Sequence, residues 1–306
     1  MRKRYPETLL EFEHWFRTEE ACRDYLFELR WPEGFTCPLC CNRGAWAMNG
    51  RLFRCQTCRR DVSVTADTIF HRSRLPLRSW FRIVWWATNQ KSGLSALGLQ
   101  RMLGLGSYQT AWTCLQKLRR AMIRPDREQL NGPVELDETA VGGHRRGSKY
   151  NENKASVVIA VEVKGAGIGR VRIRRISKNA TGAMLAFVEK AVAPGATIIT
   201  DGEWAFGLLA AMGFKQQPTV LKGRGKEASK AVLPRVHRVA SLMKRWLLGT
   251  HQGRINRDAL DPYLDEFTFR FNRRNSPHRG MLFYRLLQQC VAYGPSTYQQ
   301  ITAKSV

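Results

Sequence analysis

The chain has 306 residues, 43% of them hydrophobic, with 50 Lys and Arg against 25 Asp and Glu and a formal net charge of +25. That length supports a large core and two or three units, while no run approaches the eighteen apolar residues of a membrane-spanning helix. So large an unbalanced charge repels itself, and its natural counterpart is a polyanion, so nucleic acid is the expected partner.

The basic residues are spread through the chain, in "QKLRRAMIRP", "GGHRRGSK", "RVRIRRISK" and "VLKGRGKEASK". The start, "MRKRYPETLLEFEHWF", is basic, but acids interrupt its apolar part, unlike a signal peptide, and a cytoplasmic location is expected. "TEEACRDYLFELRW" opens on Thr18, a good N-cap followed by two acids, and stops before Pro32. It reads as an amphipathic helix closing an N-terminal helical segment over residues 1–32.

Residues 33–72 change character. Cys37 and Cys40 form one CxxC pair and Cys55 and Cys58 a second, with fourteen residues between them. Each pair can wrap one tight knuckle around a tetrahedral ion, and a hairpin between them brings the pairs together. Four thiolates select zinc and leave no open position for chemistry, so the expected role is structural. A ribbon this small has almost no core, and metal binding can contribute on the order of 10 kcal/mol to its folding. Cys41 is expected to be a bystander. Arg51, Arg54, Arg59 and Arg60 make the ribbon basic.

Over residues 73–125 the pattern turns helical in three pieces, with Gly93 and "GLGS" as punctuation. This is a helix-turn-helix outline. Its last helix would offer Ser107, Tyr108, Gln109, Thr110 and Trp112 to base edges, with Gln116, Lys117, Arg119 and Arg120 following toward phosphates. The same outline also fits a helical bundle with Trp80, Trp85, Trp86 and Trp112 in its core.

From residue 130 to 295 strand-like runs ("VELDETAV", "ASVVIAVEVK", "GRVRIRRIS", "ATIITDG") mix with helical ones, which indicates one α/β domain with a mixed sheet. Asp137 ends the apolar "PVEL", and Asp201 follows "ATIIT". Acids at strand ends suit phosphoryl transfer by two divalent ions about 3.5–4 Å apart, whose hard carboxylate ligands favour magnesium or manganese. Taken singly, each is equally an N-cap or turn aspartate.

Together the zinc ribbon, "ELDETAVGG", "TDGEWAF", "VHRVASLMKRWLLGTHQG" and "YLDEFTFRFNRR" resemble the ISXO-like insertion-sequence transposases of bacteria, in order and spacing, from about residue 20 to residue 295. The resemblance implies DDE-type chemistry on a ribonuclease-H-like core. It implies that Asp137 and Asp201 bind the catalytic Mg or Mn, with a third ligand about 35 residues later and a Lys or Arg seven beyond that. His237 stands 36 residues after Asp201, and Lys244 seven after His237. Histidine thus occupies the place of the superfamily's glutamate; a neutral imidazole can ligate a divalent ion, although it prefers manganese, zinc or iron to magnesium. Seven residues are two helical turns, so His237 and Lys244 share a face, with Lys244 placed for a DNA phosphate. Glu138 and Glu203 are available to add negative charge. The rival third ligand is Glu266, with Arg273 seven residues on, but it lies 65 residues past Asp201.

The expected partner is therefore double-stranded DNA, as element terminal repeats and target, bound by a homodimer. The alternative is a non-catalytic zinc-ribbon and helix-turn-helix DNA-binding protein with a degenerate C-terminal domain. No motif activates a serine or tyrosine nucleophile.

Overall fold

A computed structural model describes residues 4–124, 126–142, 154–177, 181–201, 206–218, 232–253 and 255–303. The chain divides into two compact units, one of residues up to 124 with 276–303, the other of residues 125–275. Among the described residues no helix is long and apolar enough to cross a membrane.

The first unit opens with helices α1 (Leu9–Trp15) and α2 (Glu19–Arg30), started by Thr8 and Thr18, whose hydroxyls accept from the backbone N–H of Glu11 and Ala21. A small antiparallel sheet follows, β1 (Ala45–Met48), β2 (Leu52–Cys55) and β3 (Asp61–Ser63) in that order. Next come α3 (Leu77–Asn89), α4 (Ala96–Leu103) and α5 (Tyr108–Ala121). Trp80, Phe81, Ile83, Val84 and Trp85 bury one face of α3. Gly104 ends α4 at φ +61, in the left-handed region where glycine costs least, and its N–H returns to the carbonyls of Gln100 and Arg101.

On α5 the structure corrects one expectation. Gln116 and Arg119 are buried, and Arg120 donates to the Ser296 hydroxyl and the Gln300 carbonyl. Lys117 is half-buried, and its pKa is lowered by that burial. The basic end of α5 is therefore largely packed inside the unit. Its start is open: Ser107, Tyr108, Gln109 and Thr110 are all exposed.

The second unit contains β4 (Pro133–Val141), β5 (Ala155–Lys164), β6 (Gly167–Ile176), α6 (Thr181–Ala191), β7 (Thr197–Thr200), α7 (Phe206–Ala211), β8 (Lys215–Pro218), α8 (Pro234–His251) and α9 (Asp261–Asn272). Its sheet runs β6-β5-β4-β7-β8. The first three strands are antiparallel, and β4–β7 and β7–β8 pair in parallel. Helices cover both faces. Val157, Ile159, Val161, Val171 and Ile173 pack on α8 and α9, while Val134, Leu136, Val158, Ala160 and Ile198 pack with residues of α6 and α7. Burial on both faces explains why β5 reads "SVVIAV" without alternation. The short edge strand β8, "KQQP", has no apolar signature and was not expected from sequence.

Two last helices, α10 (Arg279–Ala292) and α11 (Tyr298–Thr302), belong to the first unit, whereas the sequence pattern extends the α/β domain to residue 295. The reason is aromatic packing. Phe283 is fully buried, with its ring 5.5 Å from Phe12, 5.6 Å from Trp85 and 5.7 Å from Phe16. Gly280 permits the approach, because a Cβ there would come within 1.8 Å of the Pro6 carbonyl oxygen.

Candidate active site and metal centre

The four cysteines Cys37, Cys40, Cys55 and Cys58 meet in the first unit with all sulfurs within 4.8 Å of one another. Cys37 and Cys58 are 3.6 Å apart, and Cys40 and Cys55 3.5 Å. A tetrahedral zinc with bonds of about 2.3 Å requires sulfur–sulfur edges of about 3.8 Å, so these thiols fit the ion with little adjustment. Backbone amides of the knuckles pull two of the thiols down, while, against the Asn42 amide, burial and the hydrogen bonds with Cys55, Cys58 and Cys37 push the Cys40 thiol up to about 12. The Cys40 amide, above all, draws the Cys37 thiol down to about 6, and the Cys58 amide lowers that of Cys55. Cys41, exposed and in a left-handed conformation, lies outside this group. Beside the knuckles the Arg59 guanidinium lies 4.6 Å over the ring of Trp46, itself an exposed residue of β1.

The second unit brings the acidic residues together through strand register. β4 and β7 pair as Pro133 with Thr197, Val134 with Ile198 and Glu135 with Ile199. β4 continues through Asp137, and Asp201 directly follows the end of β7, so the parallel pairing runs toward both residues. Their charges interact. Burial pushes the Asp137 carboxyl up to about 6, and the negative charges of Asp201 and Glu138 add to the rise, against the Glu138 amide and His237. Asp137 Oδ1 accepts the Glu138 N–H at 2.8 Å. Glu138 itself is exposed. Glu203 lies outside the described residues.

His237 comes from α8, and its Nδ1 is 3.6 Å from Asp137 Oδ2. Lys244 Nζ, two turns along, donates to Thr139 Oγ1 at 2.6 Å. Burial lowers the Lys244 pKa, and so does the neighbouring Lys154, while Asp137 raises it. Glu266 is elsewhere: it is 3% exposed on α9, which packs against β6, two strands from β4 on the side away from β7. Arg273 lies against the ring of Phe269 on its own helix, 4.0 Å from its centroid.

Two residues of this site had no place in the sequence reading. Glu135 is 1% exposed and faces the start of α8. Its Oε2 accepts the backbone N–H of Arg235 and Val236, each at 2.8 Å, and its Oε1 accepts Arg235 Nη1 at 2.9 Å. Thr139 is the second. Residues 135, 137 and 139 alternate along β4 and so share one face, and each meets α8: Glu135 at Arg235, Asp137 at His237, Thr139 at Lys244. The signal available in sequence was the period of two in "ELDET".

Among the described residues the four thiols are the group of three or more His, Cys, Asp or Glu donors gathered closely enough for a shared ion. The acidic set offers two carboxylates and one imidazole with Asp137 at its centre. Among the described residues these three do not reach that closeness; their donor types, two hard carboxylates and one borderline imidazole, are ones that Mn or Mg can take.

Comparison with known proteins bears on both sites. The ISXO2-like transposase domain family matches residues 129–272, which contain Asp137, Asp201, His237 and Lys244. The transposase zinc-ribbon domain family matches residues 17–61, which contain all four clustered cysteines. A protein of Halobacterium salinarum, described as an "Uncharacterized protein in transposable element ISH50", is 26% identical over 275 residues, spanning 83% of this chain and 91% of that protein.

Proposed function

We propose that this chain, which carries an ISXO2-like transposase domain behind a transposase zinc ribbon, is an insertion-sequence transposase that cuts element ends and joins them to target DNA. The observation that best supports the reading is the approach of His237 Nδ1 to within 3.6 Å of Asp137 Oδ2, with the Asp201 charge also acting on Asp137. Three antiparallel strands followed by two parallel ones, in the order β6-β5-β4-β7-β8, support the reading of a ribonuclease-H-like core.

On this reading Asp137, Asp201 and His237 hold Mg or Mn. Held by these residues, such ions would supply Lewis acidity toward a phosphate and would lower the pKa of a water or hydroxyl. The chain's own groups do the rest. Asp137 provides a half-buried carboxylate whose negative charge is costly without a cation, which biases the site toward binding one. The imidazole of His237 offers its Nδ1 toward the same point. Lys244, held by Thr139, presents an ammonium to a DNA phosphate next to the cut. Glu266, buried on α9, is assigned to packing.

Duplex DNA is taken as the partner. The exposed start of α5, with Tyr108, Gln109 and Thr110, is the surface of the first unit best placed to meet base edges, and the basic ribbon meets phosphates. Two ends must be joined in one event, so two copies acting together, in the cytoplasm, complete the reading.

The test is cleavage of a duplex oligonucleotide carrying the element end, with Mg2+ or Mn2+. The wild-type chain is expected to nick it, and Asp137→Asn, Asp201→Asn and His237→Ala to bind it without nicking. Binding with no nicking by the wild type under either ion favours the competing reading, a DNA-binding protein whose catalytic domain has degenerated. That reading draws on histidine standing at the superfamily's glutamate position. Normal nicking by His237→Ala with none by Glu266→Gln would move the third ligand to Glu266.

A further inference from the structure

Helix α8 starts without a cap of its own. Leu233 occupies the N-cap position with no side-chain hydrogen bond, and Pro234 follows as the first residue. The first intrahelical bond is His237 N–H to the Leu233 carbonyl, so the N–H groups of Arg235 and Val236 need outside acceptors. Both are taken by one oxygen of Glu135, a carboxylate from β4 placed where the positive end of the helix dipole favours it.

The same carboxylate anchors the Arg235 side chain, whose remaining donors close on the β5–β6 turn: Nε to the Gly167 carbonyl at 3.0 Å and Nη2 to the Gly165 carbonyl at 2.7 Å. The start of α8 is thus tied to two strands and a turn. Glu135 precedes Asp137 by two residues on the same strand face, and Arg235 precedes His237 by two on the helix. From this knot, we infer that Glu135 and Arg235 are positioning residues that fix the distance between Asp137 and His237. This rests on the proposed assignment of those two as metal ligands.

The alternative is that the knot only holds the fold. The two separate in a measurement of ion affinity on the folded chain, with its zinc in place. Mn2+ binding is followed by electron paramagnetic resonance of the free ion, on the wild type and on Glu135→Gln, Arg235→Lys, His237→Ala and Leu264→Ala. Leu264 is a buried residue of α9 and supplies loss of stability without touching the knot. Changing a group that orients a metal ligand costs about 10- to 100-fold in affinity. Glu135→Gln is expected to weaken Mn2+ binding by about tenfold or more. Arg235→Lys keeps the charge but loses the planar fork, and it should lose affinity by a smaller, measurable factor.

His237→Ala tests the underlying assignment. If it binds Mn2+ as the wild type does, the ligand assignment fails. If it is weakened while Glu135→Gln and Arg235→Lys keep wild-type affinity, the assignment stands and the positioning role is overturned. Equal weakening in Leu264→Ala would also overturn it, because the effect would then follow stability alone. If Glu135→Gln does not fold, Arg235→Lys alone decides between these outcomes.

Discussion

Asp137 is the residue whose removal should make the protein more stable and less useful. Its carboxyl is raised from 3.8 to about 6, by burial above all. A tenfold change in proton affinity is worth about 1.4 kcal/mol, so a charged Asp137 costs the ion-free fold up to about 3 kcal/mol at pH 8. Because 23% of the side chain meets solvent, about 2 kcal/mol is the working figure. The sign follows from linkage. A carboxyl whose folded pKa lies above its unfolded value favours the fold fully only below about pH 4, and that contribution is lost as pH rises through about 6. Asparagine removes the titration while its Oδ1 can still accept the Glu138 N–H.

Calorimetry on the full chain, with zinc retained and no other divalent ion, should show the following for the second unit. Asp137→Asn unfolds higher than the wild type at pH 8, by about 5 °C at about 2–4 °C per kcal/mol. The gap narrows by about 1–2 kcal/mol on going to pH 5. Asp265, which burial also raises, to about 7, titrates in both proteins and cancels in the difference. Mn2+ should then reverse the ranking, because an ion that binds only the folded wild type stabilises it by mass action. The reasoning is refuted if the variant is no more stable at pH 8, or if its advantage is the same at pH 5.

Three further outcomes are expected. Cys55→Ser should lower the zinc content from about one per chain to none by elemental analysis and unfold the ribbon, while the calorimetric transition of the second unit stays in place. In duplex-DNA binding, Arg51→Ala in the exposed basic ribbon should flatten the slope of log K against log[salt] by about 0.9, whereas Gln109→Ala should lower affinity for the element end with the slope unchanged. Arg119→Ala should instead lower the melting temperature, because Arg119 is 2% exposed. His237→Glu should retain cleavage and shift its preference from Mn2+ toward Mg2+, since a hard oxygen replaces a borderline nitrogen; loss of activity with both ions would count against a ligand role at this position.

How much of this was legible in sequence depended on whether the determining contact was local. The cysteine knuckles are local, and their spacing alone picks out the four thiols that meet. The long strands were legible because their apolar content is dense, and the +7 spacing of His237 and Lys244 needs only a straight helix. Arg119 and Arg120 are different. A basic helix end looks solvent-facing in one dimension, yet Arg120 is held by Ser296 and Gln300, 176 and 180 residues away. The return of α10 to the first unit is non-local in the same way, resting on the packing of Phe283 against Phe12, Phe16 and Trp85 and on the fit of Gly280 against Pro6.

Glu135 shows most clearly why alternation alone was insufficient. A glutamate between Val134 and Leu136 reads as an interruption of an apolar strand, and the donors it satisfies lie a hundred residues downstream. The first unit contains the same device. Helix α3 follows Pro76 and has no capping side chain of its own, and the Glu19 carboxylate accepts the N–H groups of Leu77 and Arg78 at 2.9 and 3.0 Å. In both places proline begins a helix with no Ser, Thr, Asp or Asn beside it to cap the first turn, and a glutamate from another element takes the unsatisfied donors. At these two helices the donors that a proline start leaves without a local cap are taken by a carboxylate from elsewhere in the chain. In α9, which also starts on proline without a side-chain cap, Tyr263 and Leu264 instead turn back to the Leu260 carbonyl. What the sequence could not give was which of 25 acids caps the other two. At Glu19 that choice joins two helices of a core. At Glu135 it falls two residues from Asp137, so one carboxylate ties the helix bearing His237 to the strand bearing its counterpart.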